Sequence, residues 1–318
     1  MHGLVDQDGD LAVRAAWLSF AGGLTQEQIA ERLGLSRVKV ARLIARAQAQ
    51  GYVRVFVEGP INGCLRLEDR LVERFGLTAC RVVPSLSDEP LPLAALGPAG
   101  AWTLKQILDR KEVTVVGMGH GRTLAAAVQM LPAVSRPDMT FVSLLGSLTR
   151  SAATHPFDVI TRLSDRTGGS GYFMPAPFRC DSAEDRAVFL KQRSLREVFA
   201  LTGRAQVMVV GVGAVKRADH MVEVGLVSRA EQQEVLAVGA VGEILGLFID
   251  AEGRPVDSKV NERSIAVGLE ALRDKETIVI AGGHGKARAV RAALRTGVIR
   301  HLVTDEATAA RILEGEAT

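Results

Sequence analysis

Apolar, β-branched runs in this chain repeatedly stop at glycines that open onto helix-forming segments. Val113–Gly117 leads into Gly119-His120-Gly121-Arg122-Thr123, and Thr277–Ala281 leads into Gly282-Gly283-His284-Gly285-Lys286. Two further turns follow apolar runs, at Leu145-Gly146-Ser147-Leu148-Thr149 and at Val210-Gly211-Val212-Gly213. Near-continuous hydrophobic strands need cover on both faces, which helices on a parallel sheet supply. The strand candidates are Ala79–Val83, Val113–Gly117, Thr140–Leu145, Val207–Val212, Ile244–Ile249, Thr277–Ala281 and His301–Val303. Helices fit at Leu65–Phe75 and Leu91–Asp109, and between the later strands at Thr123–Met130, Pro156–Thr167, Ala183–Leu190, Ser194–Leu201, Arg229–Val235 and Lys286–Thr296. The pattern predicts an α/β domain with a largely parallel sheet.

In such a sheet the glycine turns gather along one edge, and ligands bind outside the carboxyl ends of the strands. Glycine frees backbone amides to approach an anion, and a helix N-terminus adds its dipole. Arg122 and Thr123 add donors at the first loop, and Lys286 stands on the first helical turn after the second, placed to meet a phosphate or a sugar hydroxyl. A tight turn with no ligand reads equally simply from a lone Gly-x-Gly-x-Gly. The dinucleotide fingerprint is absent, because Gly-x-Gly-x-x-Gly spacing fails at 117–122 and no acid follows a second strand. Glu243, in Gly239-Ala-Val-Gly-Glu-Ile-Leu-Gly246, could accept hydrogen bonds from sugar hydroxyls or cap a helix. Asp181 is as readily a turn or helix cap as a contact. His120, His155 and His284 pair with no nucleophile and no metal set.

The N-terminal segment has a different period. Residues 24–51 read as two short helices hinged at Gly34. Thr25 and Gln28 form a capping box on the first helix, Ser36 caps the second, and Gly51 supplies a left-handed stop. Ile29, Ala30 and Leu33 share one face of the first helix, and Val40, Leu43 and Ile44 one face of the second. This is a helix-turn-helix, whose second helix enters the DNA major groove. A helical hairpin buried in a core would show the same apolar spacing. It would not need the charge found here: residues 32–54 hold Arg32, Arg37, Lys39, Arg42, Arg46 and Arg54 and no acid. One sign of charge on a capped helix is what phosphates attract. Thr25, Gln26, Ser36, Arg37, Lys39, Arg42 and Arg46 are therefore the candidate DNA contacts. Tyr52–Val57 alternates like a strand and predicts a small wing.

The 318 residues accommodate one large core and a small satellite domain, with the boundary expected at Gly59-Pro60. This gives a DNA-binding domain over 1–59 and a second domain over 60–318. Net charge of +3 is too small to argue a partner by itself. Cys64, Cys80 and Cys180 are odd in number and widely spaced, so neither a disulfide framework nor a metal set follows, and no cofactor is expected. The acidic N-terminus (Asp6, Asp8, Asp10) and the lack of a ~20-residue apolar run predict a soluble cytoplasmic protein.

In this order the motifs resemble the SorC family of sugar-binding transcriptional regulators, nearly end to end. They are Leu24-Thr-Gln-Glu-Gln-Ile-Ala30, Leu35-Ser-Arg37, Gly119-His-Gly-Arg-Thr-Leu124, Leu144-Leu-Gly-Ser-Leu148, Met174-Pro-Ala-Pro177 and Gly239–Gly246. Asp250-Ala-Glu-Gly-Arg-Pro-Val256, Ala281-Gly-Gly-His-Gly-Lys286 and Leu302-Val-Thr-Asp-Glu-Ala-Thr308 complete them. The resemblance implies a Rossmann-like effector domain similar to sugar-phosphate isomerases and acyl-CoA transferases, assembled as a homotetramer or dimer. It implies operator DNA and a sugar, polyol or sugar-phosphate effector as partners. The effector would meet Gly119, His120, Gly121, Arg122 and Thr123, with Gly146 and Ser147, and Glu243 and Lys286 across the pocket. Ala41 departs from the Ser of many members. Leu145 stands where some phosphosugar-binding members place an arginine, which favours a monophosphate or a free polyol or sugar. The motif order is also similar to regulators of erythritol and other polyol operons. The competing reading is a phosphosugar isomerase or deaminase with a DNA-binding appendage. It needs a base beside the substrate carbonyl; Glu243 is the candidate, and no partner acid is apparent.

Overall fold

The computed structural model describes residues 7–53, 62–85, 91–147, 159–215, 222 and 227–315. The chain forms two compact units, residues 1–57 and 58–318.

Among the described residues the first unit holds three helices: α1 (Gln7–Phe20), α2 (Gln26–Leu33) and α3 (Arg37–Ala49). The capping box at Thr25 is formed, with the Thr25 amide donating to Gln28 Oε1 at 2.9 Å and the Gln28 amide to Thr25 Oγ1 at 3.3 Å. Ser36 Oγ accepts the Lys39 amide at 3.2 Å. Gly34 and Gly51 both take the left-handed conformation, with φ of +65° and +73°. Ile29, Ala30, Val40, Leu43, Ile44 and Ala47 form the core, as the periodicity predicts. That core is completed by α1, through Ala12, Ala15, Ala16 and Leu18, a helix the sequence reading does not anticipate. The wing expected at 52–57 lies mostly outside the described residues; Tyr52 and Val53, which are described, are not in a strand.

The second unit is built on a seven-stranded parallel sheet in the order β1-β10-β9-β5-β2-β3-β4. Its strands are β1 (Ala79–Val83), β2 (Val115–Met118), β3 (Thr140–Ser147), β4 (Ser170–Pro177), β5 (Val207–Val210), β9 (Glu276–Ile280) and β10 (His301–Asp305). Alternate residues of each strand enter opposite cores, as period-2 geometry requires. Val116, Met118, Val207, Val209, Ile278 and Ile280 pack beneath helices 93–109, 122–130 and 159–167. Val115, Val142, Met208, Val210 and Val279 pack beneath helices 62–75, 193–203, 287–295 and 306–314. Two-sided cover is why these strands read as unbroken apolar runs.

β4 escapes the sequence reading because Gly171, Pro175 and Pro177 argue against a strand. It lies at the sheet edge, where proline's missing N–H is tolerated. Pro156 falls outside the described residues; the helix there is described from Val159.

Two expectations need correction. Ile244–Ile249 is not one strand but an antiparallel hairpin, β7 (Gly242–Ile244) and β8 (Leu247–Ile249), which with β6 (Gly213–Ala214) makes a small three-stranded sheet. The chain reverses at Leu245 and Gly246, both at positive φ (+52° and +75°), as a two-residue primed turn demands. Leu145-Gly146-Ser147 is not a turn but the end of β3. A Cβ on Gly146 would lie 2.6 Å from the Pro177 carbonyl oxygen, so this glycine permits close packing of β3 on β4, and its amide donates to the Ile265 carbonyl at 2.9 Å.

The small sheet is tied down by side chains. Asn261 accepts the Phe248 amide at 2.8 Å and donates to the Phe248 and Val256 carbonyls. Glu231 is buried at the start of helix 229–237, where Oε2 accepts the Ser228 amide at 2.6 Å and Oε1 the Arg263 guanidinium at 2.7 Å. Burial pushes the Glu231 carboxyl up, but the Ser228 amide and hydroxyl and the Arg263 guanidinium outweigh it and hold the group below the usual glutamate range. A depressed carboxylate stabilises the fold above its unfolded pKa, and that contribution is lost as pH falls through its folded value. Glu231→Ala leaves Arg263 uncompensated and is expected to lower stability by about 3 kcal/mol near neutrality. Urea denaturation at a series of pH values checks this; the deficit should shrink as the solution is acidified into the carboxylate range.

Candidate functional site

In the first unit α3 turns a defined face outward. At 100° per residue, Val40, Leu43, Ile44 and Ala47 take the buried side, which puts Val38, Ala41, Arg42 and Ala45 on the opposite stripe. Arg37 lies on one flank of that stripe, Lys39 and Arg46 on the other. Gln26, from the first turn of α2, joins Arg37, Val38, Ala41, Arg42 and Ala45 around an open concavity of about 470 Å³. Arg37 Nη1 lies 3.9 Å from Glu27 Oε1, with both side chains largely exposed. Such a solvated pair is readily exchanged for a phosphate. Thr25 and Ser36 use their hydroxyls as helix caps, so what they present outward is the anion-attracting end of a helix rather than a free side chain.

In the second unit the strands carrying the glycine motifs are neighbours: β9, β5, β2 and β3 lie side by side in parallel, so their carboxyl ends share one edge. The order in which strands are added to the sheet reverses between β2 and β5, although the strands themselves stay parallel. From β2 the strands run outward to β3 and β4 on one side, and later strands return on the other side through β5 and β9. This is a topological switch point, where open α/β sheets form their crevice.

The loop after β2 stands at that point. The Gly119 amide donates to the Val209 carbonyl at 2.8 Å, and a Cβ on Gly119 would lie 3.3 Å from Val210 Cα and from Leu245 Cδ2. A side chain there would press on β5 and on the β7–β8 hairpin, which would have to give by a few tenths of an ångström. Gly121, at φ +127°, starts helix 122–130 with no side-chain cap, and a Cβ there would meet nothing within 4 Å. The first amides of this helix thus have no side-chain cap. Thr123 is buried on its first turn and Arg122 half-buried. His120 turns inward: Ser143 donates its hydroxyl to the Leu145 carbonyl at 2.6 Å and stands 3.1 Å from His120 Nε2, which makes that nitrogen the donor to Ser143.

Glu243 and Lys286 reach the same neighbourhood from other elements. Glu243 lies in β7 opposite Gly213 of β6, so the helix-cap alternative falls away. A Cβ on Gly213 would sit 2.2 Å from Glu243 Oε1, so the carboxylate lies over that glycine. Its other oxygen accepts the Gly246 amide at 2.6 Å. Lys286, at the start of helix 287–295, donates from Nζ to the Val212 carbonyl at 2.9 Å, one residue from Gly213. The 119–123 loop, the 212–213 segment, the 243–246 hairpin and Lys286 thus converge. Ser147 is exposed at the end of β3 and joins them through Phe178, whose amide donates to its carbonyl and whose ring packs on Gly246. Gly146 is buried with its amide committed to Ile265, so it shapes the strand end without offering a donor.

Asp305, which the sequence reading does not single out, holds the second glycine loop. Its Oδ2 accepts the Gly283 amide at 2.8 Å and the Thr308 hydroxyl at 2.7 Å, and its Oδ1 the Thr308 amide at 3.0 Å. A Cβ on Gly282 would lie 2.1 Å from that carboxylate. The signal available in sequence is an Asp ending an apolar strand three residues before Thr308, an N-cap pattern. His155 lies outside the described residues, Asp181 is a turn residue, and His284 is exposed. Among the described residues no cluster of His, Cys, Asp or Glu forms a metal site, and no helix is long and apolar enough to cross a membrane.

Residues 59–314 match the family model "Putative sugar-binding domain", and residues 15–59 match a MarR family model. The chain is 43% identical over 310 residues to the erythritol catabolism regulatory protein EryD of Brucella abortus, with 98% of each chain covered. The chain belongs to the SorC family of sugar-binding transcriptional regulators. It is 35% identical to the transcriptional regulator LsrR of Klebsiella pneumoniae, over 98% of this chain and 95% of that one. The full-length sorbitol operon regulator SorC from Klebsiella pneumoniae superposes with a TM-score of 0.70 at 26% identity, covering 97% of this chain and all of the other. A family member of this kind is a transcriptional regulator, not an enzyme, and the proton-abstraction role considered for Glu243 has no place in it.

Proposed function

We propose that the protein is a cytoplasmic regulator of a polyol or carbohydrate catabolic operon, in which α3 reads operator DNA and the switch-point crevice binds a polyol, a sugar or its monophosphate. The boundary between a DNA-binding domain and an effector and oligomerisation domain falls near Gly59-Pro60, and the assembly is a homotetramer or dimer. The doubly wound effector domain is of the kind found in sugar-phosphate isomerases and acyl-CoA transferases. The observation that carries the reading is the convergence of the 119–123 loop, Glu243 and Lys286 at the carboxyl edge of the parallel sheet.

The roles divide by chemistry. The uncapped start of helix 122–130, with Arg122 and Thr123, takes a phosphate or a vicinal hydroxyl pair. Glu243 accepts from hydroxyls, since an ionised carboxylate is an acceptor only, and Lys286 donates. Ser147 stands at the rim, Gly119 and Gly146 allow the backbones to approach, and Gly121 supplies the positive φ at the helix start. His120 orients the loop through Ser143. The erythritol in the name of the Brucella relative makes short polyols and their monophosphates the first candidates.

A thermal-shift panel of free polyols, sugars and their monophosphates tests this. A ligand at a hundred times its Kd adds about 2.7 kcal/mol to the folded state, which for a domain of this size raises Tm by about 5–10 °C. Lys286→Ala is expected to abolish the shift while leaving DNA binding unchanged. No shift with any member of the panel, or an undiminished shift in Lys286→Ala, would count against the site.

A further inference from the structure

The outward stripe of α3 carries a feature that charge does not explain. Val38 is 70% exposed, the most exposed large hydrophobic side chain among the described residues. It occupies the second position of the recognition helix, flanked by Arg37 and Lys39, and it lines the open concavity with Gln26, Ala41, Arg42 and Ala45. No packing need within the unit accounts for it, because the core is formed by the opposite face. A β-branched residue also has a slightly poorer helix propensity than the straight-chain polar residues that usually fill such positions.

The N-terminal turns of a recognition helix face the base edges of the major groove. The groove floor presents hydrogen-bonding groups almost everywhere; its apolar feature is the C5-methyl of thymine. Ala41 and Ala45 on the same stripe are short enough to let the helix axis approach that floor. Arg42 lies on the stripe, Arg37, Lys39 and Arg46 flank it, and α3 contains no acid, so the surface complements a polyanion.

We propose that Val38, backed by Ala41, packs on a thymine C5-methyl at one position of the operator, beside the base contacted by Arg42. This rests on the operator-binding reading above and adds to it a specific element of the sequence code. The methyl contact removes from water about the area of one CH₂ group, so it contributes about fourfold in affinity, the ratio that about 0.8 kcal/mol gives.

The test begins with selection of a preferred duplex from a random library by the full chain. Each thymine of the selected duplex is then replaced singly by uracil, which lacks only the methyl group. The expected result is an approximately fourfold loss at one position per recognition helix, with the other thymines near neutral. Val38→Ala, at an exposed position that leaves folding unchanged, should bind the thymine duplex more weakly and show no discrimination against uracil at that position. Uracil tolerance at every position, or an undiminished thymine preference in Val38→Ala, overturns the proposal. An enriched duplex insensitive to uracil sinks this contact alone, whereas failure to enrich any duplex sinks the operator-binding reading and this proposal with it.

Discussion

Gly246→Ala is expected to destabilise the second unit by about 2–5 kcal/mol, the largest single-residue effect that the geometry implies. The residue sits at φ +75°, where a Cβ costs about 1–2 kcal/mol. That Cβ would also fall 1.9 Å from Phe178 Cζ, overlapping the ring edge of a buried side chain, and overpacking of this kind adds about 1–3 kcal/mol. The two contributions separate experimentally. In a Phe178→Ala background the same glycine substitution should lose only its backbone share, so the pair is strongly non-additive. The sequence contains two tryptophans, Trp17 in the first unit and Trp102 in the second, so a Trp17→Phe background lets Trp102 fluorescence report the second unit during urea denaturation. Trp102 lies under the Arg81 guanidinium, 3.9 Å from ring centre to Cζ, and will register loss of that packing. A loss below about 1 kcal/mol would contradict the turn geometry on which the placement of Glu243 depends.

The second large effect is on DNA. Arg42 is exposed near the centre of the outward stripe of α3, and a bidentate arginine–guanine contact discriminates by about 1–3 kcal/mol. Arg42→Ala is therefore expected to lower operator affinity about 5- to 150-fold per recognition helix while changing affinity for random DNA far less. Lys39, on the flank, makes the useful contrast. Its substitution by Ala should weaken operator and random DNA alike and reduce the salt dependence by about one phosphate contact. Fluorescence anisotropy with both duplexes over a range of salt measures the four quantities together. Equal loss on both duplexes for Arg42→Ala would move the base-reading role elsewhere on the helix.

These consequences were unequally legible in the sequence. The helix-turn-helix was readable because its determinants are local: Thr25 and Gln28, Ser36, Gly34 and Gly51 each act within four residues and each takes its expected place. The parallel sheet was readable because two-sided burial writes itself as unbroken apolar runs. β4 was not, since its prolines are acceptable only at an edge, a property of the assembled sheet. The β7–β8 reversal was hidden because Leu245 takes a left-handed conformation that leucine rarely adopts, and an apolar residue there extends the apparent strand.

The candidate site divides in the same way. Glycine loops following strands pointed to one edge of the sheet, and that edge is where they lie. Which glycine amides remain available was not legible, because the partners come from remote segments. Ile265 takes the Gly146 amide, and Asp305 with Thr308 takes that of Gly283. Glu243 and Lys286 meet through Val212 and Gly213, a convergence created by the pairing of β6 with β7 and not by spacing along the chain.

The central claim is that one small metabolite, bound at the edge of the parallel sheet, alters the hold of α3 on DNA. An effector changes operator affinity only by the ratio of its own affinities for the two states, and couplings of about 1–3 kcal/mol correspond to about 5- to 150-fold. The decisive measurement is the affinity of the full chain for the duplex upstream of its own gene, with and without each polyol, sugar and monophosphate of the panel. A change within that range for one ligand, absent in Lys286→Ala, is the predicted result. Operator affinity that stays constant while the same ligand stabilises the fold would contradict it.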